Sequence, residues 1–296
     1  MSTNELVREG FRERLEDYWH LGLHHVLRRA PIDAASDLGS LLVRRNVRRN
    51  LPHILTGARH NLRRLKPEWS EEEVDAGVQR FLDNVGRVYA EFSLLHRFIG
   101  ENRVSYDAEV IRSGLLVKRP LVVIMLHTGN WEAFPTALAH LGFPINSFYL
   151  PPEPAVHNAI VQKVRAELGV TLLDPSPRGV REALRLLRDN RPFAIFGDDA
   201  RGGETMAPLF GRPPREGGNL GLVSRFARSS RAEVVICHCV RLHKSRFELH
   251  VSEIFSLADK VGERAGVLDD IVYLNSLIEP IIRAHADQWY FLDDRF

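Results

Sequence analysis

Only two cysteines occur in 296 residues, Cys237 and Cys239, too few and too close for a disulfide framework. That scarcity points to a reducing cytoplasm. Nowhere does the chain hold the roughly 18 uninterrupted apolar residues of a spanning helix. The opening MSTNELVREGFRERLEDYW alternates charges and lacks the apolar stretch of a secretory signal. Absent too are a Gly-x-Ser-x-Gly elbow, a Walker loop and any internal repeat or low-complexity segment. No helix-turn-helix, zinc-finger or RNA-recognition pattern occurs, so nucleic acid is not an expected partner. Cys237-His238-Cys239 looks briefly like a metal site. Adjacent strand residues point to opposite faces, however, and no second ligand pair follows, so no metal is expected. These absences leave a cytoplasmic chain, soluble or peripheral on the inner face of the plasma membrane.

The residues present are those of a globular protein, 44% hydrophobic and 26% charged, enough for a sizeable core. Net charge is only +2 but unevenly spread. Residues 28 to 66 carry ten Lys/Arg against Asp33 and Asp37, a local +8. Such a stripe, interleaved with Leu, Val and Ile, suits an anionic membrane surface or an acidic carrier protein. A solvated helical face is the plainer reading. Tyr18, Trp19, Leu21, Leu23 and Val26 form an apolar set that suits a membrane-lying face or a core helix.

Up to about residue 100 the signals are helical. Asp33 is placed to cap a helix running toward Arg49, and Ser70 with Glu73 has the spacing of a capping box. From Leu121 the pattern changes to strands (121–126, 145–149, 170–173, 193–196, 234–240, 247–251) separated by helices (132–141, 156–168, 179–189, 220–227). That alternation predicts βαβ units and a mostly parallel central sheet flanked by helices. LHKSRFELHV predicts a hairpin, and a last helix is expected over 269–286. Residues 1–115 are read as a basic helical region and 116–296 as an α/β core.

One stretch, LVVIMLHTGNWE, delivers a histidine from a buried-type strand into a glycine turn. A His followed five positions later by an acid occurs three times, at His96/Glu101, His127/Glu132 and His243/Glu248. Spacing alone therefore decides nothing. Only His127 ends an apolar strand, where open α/β sheets bind ligands. Glu132 is expected to fold back onto the His127 ring and leave the other nitrogen as a general base. Backbone N–H groups at Gly129 and Asn130 are expected to receive an oxyanion.

Asp198 ends another strand and should face the same crevice. The stretch from Gly197 to Gly218 holds six glycines and three prolines, too biased for regular structure. Arg201, Arg212 and Arg215 in it are candidate phosphate contacts, and Gly217-Gly218 a helix start that a ligand approaches closely.

HTGNWE resembles the His-x4-acid signature of the lysophospholipid acyltransferase superfamily. More closely it resembles the Lpx-type lipid A acyltransferase branch, which includes bacterial glycolipid acyltransferases. FYLPPEPAVHNAIVQKVRAELGVTLL, IFGDDARGGETMAPLFGRPPREGGNLGLVSRFA and DQWYFLDDRF are similar, in order, to later blocks of that branch. The resemblance implies a glycerolphosphate-acyltransferase-like fold. It also implies acyl transfer from acyl carrier protein or acyl-CoA to a hydroxyl or amine of a lipid or glycolipid, with no permanently bound cofactor. Three departures stand out: Asp198-Asp199 for the usual Asp-Gln, Tyr149-Leu150-Pro151 for Tyr-Arg-Pro, and no hydrophobic N-terminal anchor. They keep open an acyltransferase acting on a soluble amine, amino acid or secondary metabolite, and a non-catalytic acyl-binding homologue.

Overall fold

The computed structural model describes residues 21–114, 119–143, 145–151 and 155–296. The expectations for Tyr18, Trp19 and the charge-alternating start lie outside them.

A helical segment, 21–27, leads into α1 (Ile32–Asn50), α2 (Pro52–Leu65) and α3 (Glu71–Glu91). Ser70 and Glu73 form the expected capping box: Glu73 N–H donates to Ser70 Oγ at 3.2 Å, and Ser70 N–H to Glu73 Oε2 at 2.7 Å. Asp33 departs from its expected role. It sits inside the first turn of α1, where its carboxylate accepts from Arg103 at 2.9 Å and Ser245 at 2.7 Å. α1 packs antiparallel on α3 at glycine contacts. A Cβ on Gly86 would stand 2.6 Å from the Gly39 carbonyl oxygen.

Next come β1 (Val104–Ser105), α4 (Ala108–Gly114), β2 (Leu121–Met125), α5 (Ala133–His140), β3 (Ile145–Phe148), α6 (Ala155–Glu167), β4 (Val170–Leu173), α7 (Pro177–Arg188) and β5 (Phe193–Phe196). The chain continues through β6 (Asp199–Arg201), β7 (Glu204–Ala207), α8 (Asn219–Ser230), β8 (Glu233–His243), β9 (Arg246–Val251), α9 (Leu257–Val261) and α10 (Val267–Ala284).

Seven strands form one sheet in the order β1-β9-β8-β2-β5-β3-β4. Every pair in it is parallel except the β8–β9 hairpin, the antiparallel element expected near the end. The mostly parallel α/β architecture read from the sequence is the one observed.

Central β2 is buried at every residue, which is why it is an unbroken apolar run. Val122 and Ile124 join a core with Phe81, Leu82, Phe226 and Leu274; Val123 and Met125 face Phe134, Leu138 and Phe247. From β2 the chain winds to one side, through β3 to β5, then crosses to the other through β8. The carboxyl end of β2 is therefore a switch point, where such sheets leave a crevice.

The glycine-rich stretch differs from expectation. It contains β6 and β7, an antiparallel hairpin turned by Gly202 (φ +58°) and Gly203 (φ +72°). Two glycines at positive φ are the two-residue turn that matches strand twist.

Candidate active site

Strand register brings the site together. β2 and β5 pair with Val122 opposite Phe193 and Met125 opposite Phe196. The same offset, two residues further on, sets Asp198 beside His127. The Asp198 carboxylate accepts the His127 backbone N–H at 2.9 Å and meets its ring Nδ1 at 3.1 Å. It also accepts the Trp289 indole N–H at 2.9 Å. Asp198 is fully buried, whereas the His127 side chain keeps 18% of its surface exposed.

The histidine expected to carry the chemistry thus has a carboxylate on one ring nitrogen. That carboxylate is Asp198, not Glu132. A carboxylate there fixes the tautomer with hydrogen on Nδ1 and leaves Nε2 as the acceptor. Phe196 stacks on the imidazole at 3.8 Å between centroids, and Trp131 and Phe291 present their edges at 5.1 and 5.0 Å.

Glu132 goes elsewhere because the turn carries it past the strand end to α6. Its Oε1 accepts from Arg165 Nη2 at 2.5 Å, and its backbone N–H donates to Asn130 Oδ1 at 3.1 Å. The Nε of Arg165 is buried and has no hydrogen-bond partner. Beside this pair lies a cavity of about 390 Å³. Leu23, Leu27, Val88, Phe92, Ile160 and Val161 line it, with Trp131 and Glu132 also in its wall. That size and apolar lining suit a small-molecule or acyl-chain pocket.

The turn is locked from behind. Gly129 has φ +57°, and a Cβ on it would stand 2.6 Å from the Cys239 carbonyl oxygen, so only glycine fits. Its N–H donates to the Gln288 carbonyl at 3.2 Å, and the Tyr290 N–H donates to the His127 carbonyl at 2.9 Å. Asn130, fully buried, donates through Nδ2 to Glu91 Oε2 at 2.8 Å. Both residues therefore build the turn, and the Gly129 N–H expected to meet an oxyanion is already engaged.

Glu91 is the hub behind them. It accepts two bonds from Arg241, at 2.7 and 2.9 Å, and one from Ser36 at 2.6 Å. Arg241 Nε donates to Asn84 Oδ1 at 2.7 Å, and Asn84 Nδ2 to the Gly129 carbonyl at 3.0 Å.

The remaining candidates separate. Arg212 donates to the carbonyls of Leu209, Thr205 and Pro208, so it clamps its own loop. Burial pushes its guanidinium below the usual arginine range. Arg201 and Arg215 are exposed, the first 3.5 Å from Asp199 and the second 3.3 Å from Glu204. Gly218 (φ +83°) precedes α8, and a Cβ there would lie 3.4 Å from the Asp199 carboxylate; Gly217 faces open space. Asp199 is buried, neither of its carboxylate oxygens has a hydrogen-bond partner, and burial raises it to about 6.

Sequence reasoning missed Arg165, Glu91, Asn84 and Arg241, and it did not give Trp289 a role. Arg165 lies inside a stretch quoted for its resemblance, and no local spacing ties it to Glu132. The other partners are 39 to 157 positions apart, beyond any local motif.

No curated protein matches the chain. Its residues 12–296 match the family model described as bacterial lipid A biosynthesis acyltransferase. The chain belongs to the bacterial lipid A biosynthesis acyltransferase family, and it is an acyltransferase.

Proposed function

We propose that this acyltransferase moves a fatty acyl chain from a thioester, on acyl carrier protein or CoA, to a lipid or glycolipid acceptor at the inner face of the plasma membrane. The observation that carries the reading is the His127–Asp198 pair, whose imidazole meets Trp131 in the wall of an apolar cavity.

In the proposed reaction, His127 Nε2 takes the proton from the acceptor's hydroxyl or amine as it attacks the thioester carbonyl. The imidazolium so formed is stabilised by Asp198. Collapse of the tetrahedral intermediate expels the thiolate, which recovers that proton. Arg165, held by Glu132 in the cavity wall, is assigned as the positive charge for the oxyanion. The acyl chain lies among Leu23, Leu27, Val88 and Phe92, which gives the helical region up to residue 115 one wall of the site. Arg201 and Arg215 are left to contact a phosphate on the acceptor.

The test mixes purified protein, acyl-CoA or acyl carrier protein, and detergent-dispersed lipid acceptors, and follows thiol release and the acylated product. Wild-type protein should form product, and His127→Ala should lose it while keeping the same melting temperature. Unchanged turnover in His127→Ala would remove the mechanism. Product formed only on soluble amines would move the acceptor to another class.

A further inference from the structure

The structure divides the basic stripe of residues 28–66 into cations used internally and cations left facing solvent. Arg28 pairs with Glu167, Arg59 and Arg63 pair with Glu71, and Arg64 donates to the Phe296 carbonyl. Arg45 and Arg49 are exposed and have no ion pair among the described residues. They share one face of α1 with three exposed leucines. Leu38, Leu41, Leu42, Arg45 and Arg49 follow the spacing of neighbours along a helical face. The leucines are 44%, 56% and 51% exposed, and no described element covers them. The nearest acid on the helix, Asp37, is neutralised by Arg87 at 2.8 Å and Lys244 at 3.7 Å.

We infer that this face of α1 docks the enzyme onto an anionic lipid bilayer, the leucines entering the acyl boundary and the arginines meeting phosphate headgroups. Apolar side chains beside unpaired arginines, with the local acid already neutralised, give the charge complementarity such a surface requires. No helix among the described residues is long and apolar enough to cross a membrane. The choice of lipid as occupant rests on the proposed function; the exposed face does not.

The test uses the full chain with vesicles of pure phosphatidylcholine and of equal parts phosphatidylcholine and phosphatidylglycerol. Co-flotation should be strong with the mixed vesicles, weak with the neutral ones, and reduced by salt. The double substitution Arg45→Gln/Arg49→Gln should weaken it about thirtyfold, the loss expected for two basic residues at an anionic surface. The triple substitution Leu38→Gln/Leu41→Gln/Leu42→Gln should release the protein, with thermal melts unchanged in both variants. Amide exchange over 34–49 should slow only when mixed vesicles are present.

Undiminished flotation of both variants, or equal binding to neutral vesicles, overturns the inference. So does exchange already slow without lipid and unchanged by it, which would place another part of the chain on this face. A dimer dissolved by the leucine substitutions, or a loss confined to carrier-linked donor in detergent, overturns it in favour of a second copy or an acidic carrier. Transfer in detergent without vesicle binding sinks this inference alone. Vesicle binding without transfer from any thioester sinks the proposed function alone.

Discussion

Asp198 and Asp199 are adjacent in sequence and opposite in circumstance. Asp198 is fully buried and holds the His127 backbone, the His127 ring and the Trp289 indole. Asp199 is nearly as buried, yet its oxygens make no close hydrogen bond and have only the exposed Arg201, 3.5 Å away, and the start of α8 beside them. The cause is the strand's alternation of faces: one side chain turns into the crevice, the next toward the start of α8. Burying a carboxylate is costly unless partners replace its water. The number and closeness of partners, not burial, thus separate the two carboxylates.

Four substitutions break or sharpen that contrast. Asp198→Asn removes the charge that holds the His127 tautomer; thioester turnover should fall about 10³- to 10⁴-fold in a steady-state assay. Glu91→Gln extends the test to a second fully partnered carboxylate. It leaves Arg241 buried without its counter-charge, and denaturant unfolding should register a loss of about 3–5 kcal/mol. Trp289→Phe keeps the aromatic packing and deletes one N–H donated to Asp198. Loss of a bond to a charged group, worth about 1.5–3 kcal/mol, should lower turnover about tenfold while the overall fold survives.

Asp199→Asn should act in the opposite direction. The folded state raises this acid from 3.8 to about 6, so ionisation opposes folding at neutral pH. The native state's advantage is complete below the unfolded value and is lost as pH rises through the folded one. The variant should therefore be more stable than wild type at neutral pH by about 1–2 kcal/mol, and the gap should close as pH falls toward 4. Equal stability at every pH would mean that Asp199 is better satisfied than its surroundings indicate.

Much of this fold is legible in the sequence because its signals are local. The apolar runs 121–126, 170–173 and 193–196 each correspond to a strand, and Ser70-x-x-Glu73 to a capped helix start. The β6–β7 hairpin was missed: Gly202-Gly203 is a two-residue turn signal, but the surrounding glycine and proline hid it. His127 stands out for its strand and its turn. Its carboxylate does not, because Glu132 lies five positions away and Asp198 seventy-one. Parallel pairing between distant strands sets the second distance, and local spacing carries no trace of it. The same holds for Arg241 on Glu91, 150 positions apart.

The segment 288–290 closes the histidine turn late in synthesis. Gln288 accepts the Gly129 N–H, Trp289 holds Asp198, and Tyr290 is bonded to the His127 carbonyl. During synthesis the strands, helices and apolar cavity can assemble as they emerge from the ribosome, at about 5–20 residues per second. The histidine turn acquires its final hydrogen bonds only when residues 288–290, which follow every strand of the sheet, are in place. Until then the sheet carries a histidine turn that lacks the bonds closing it from behind.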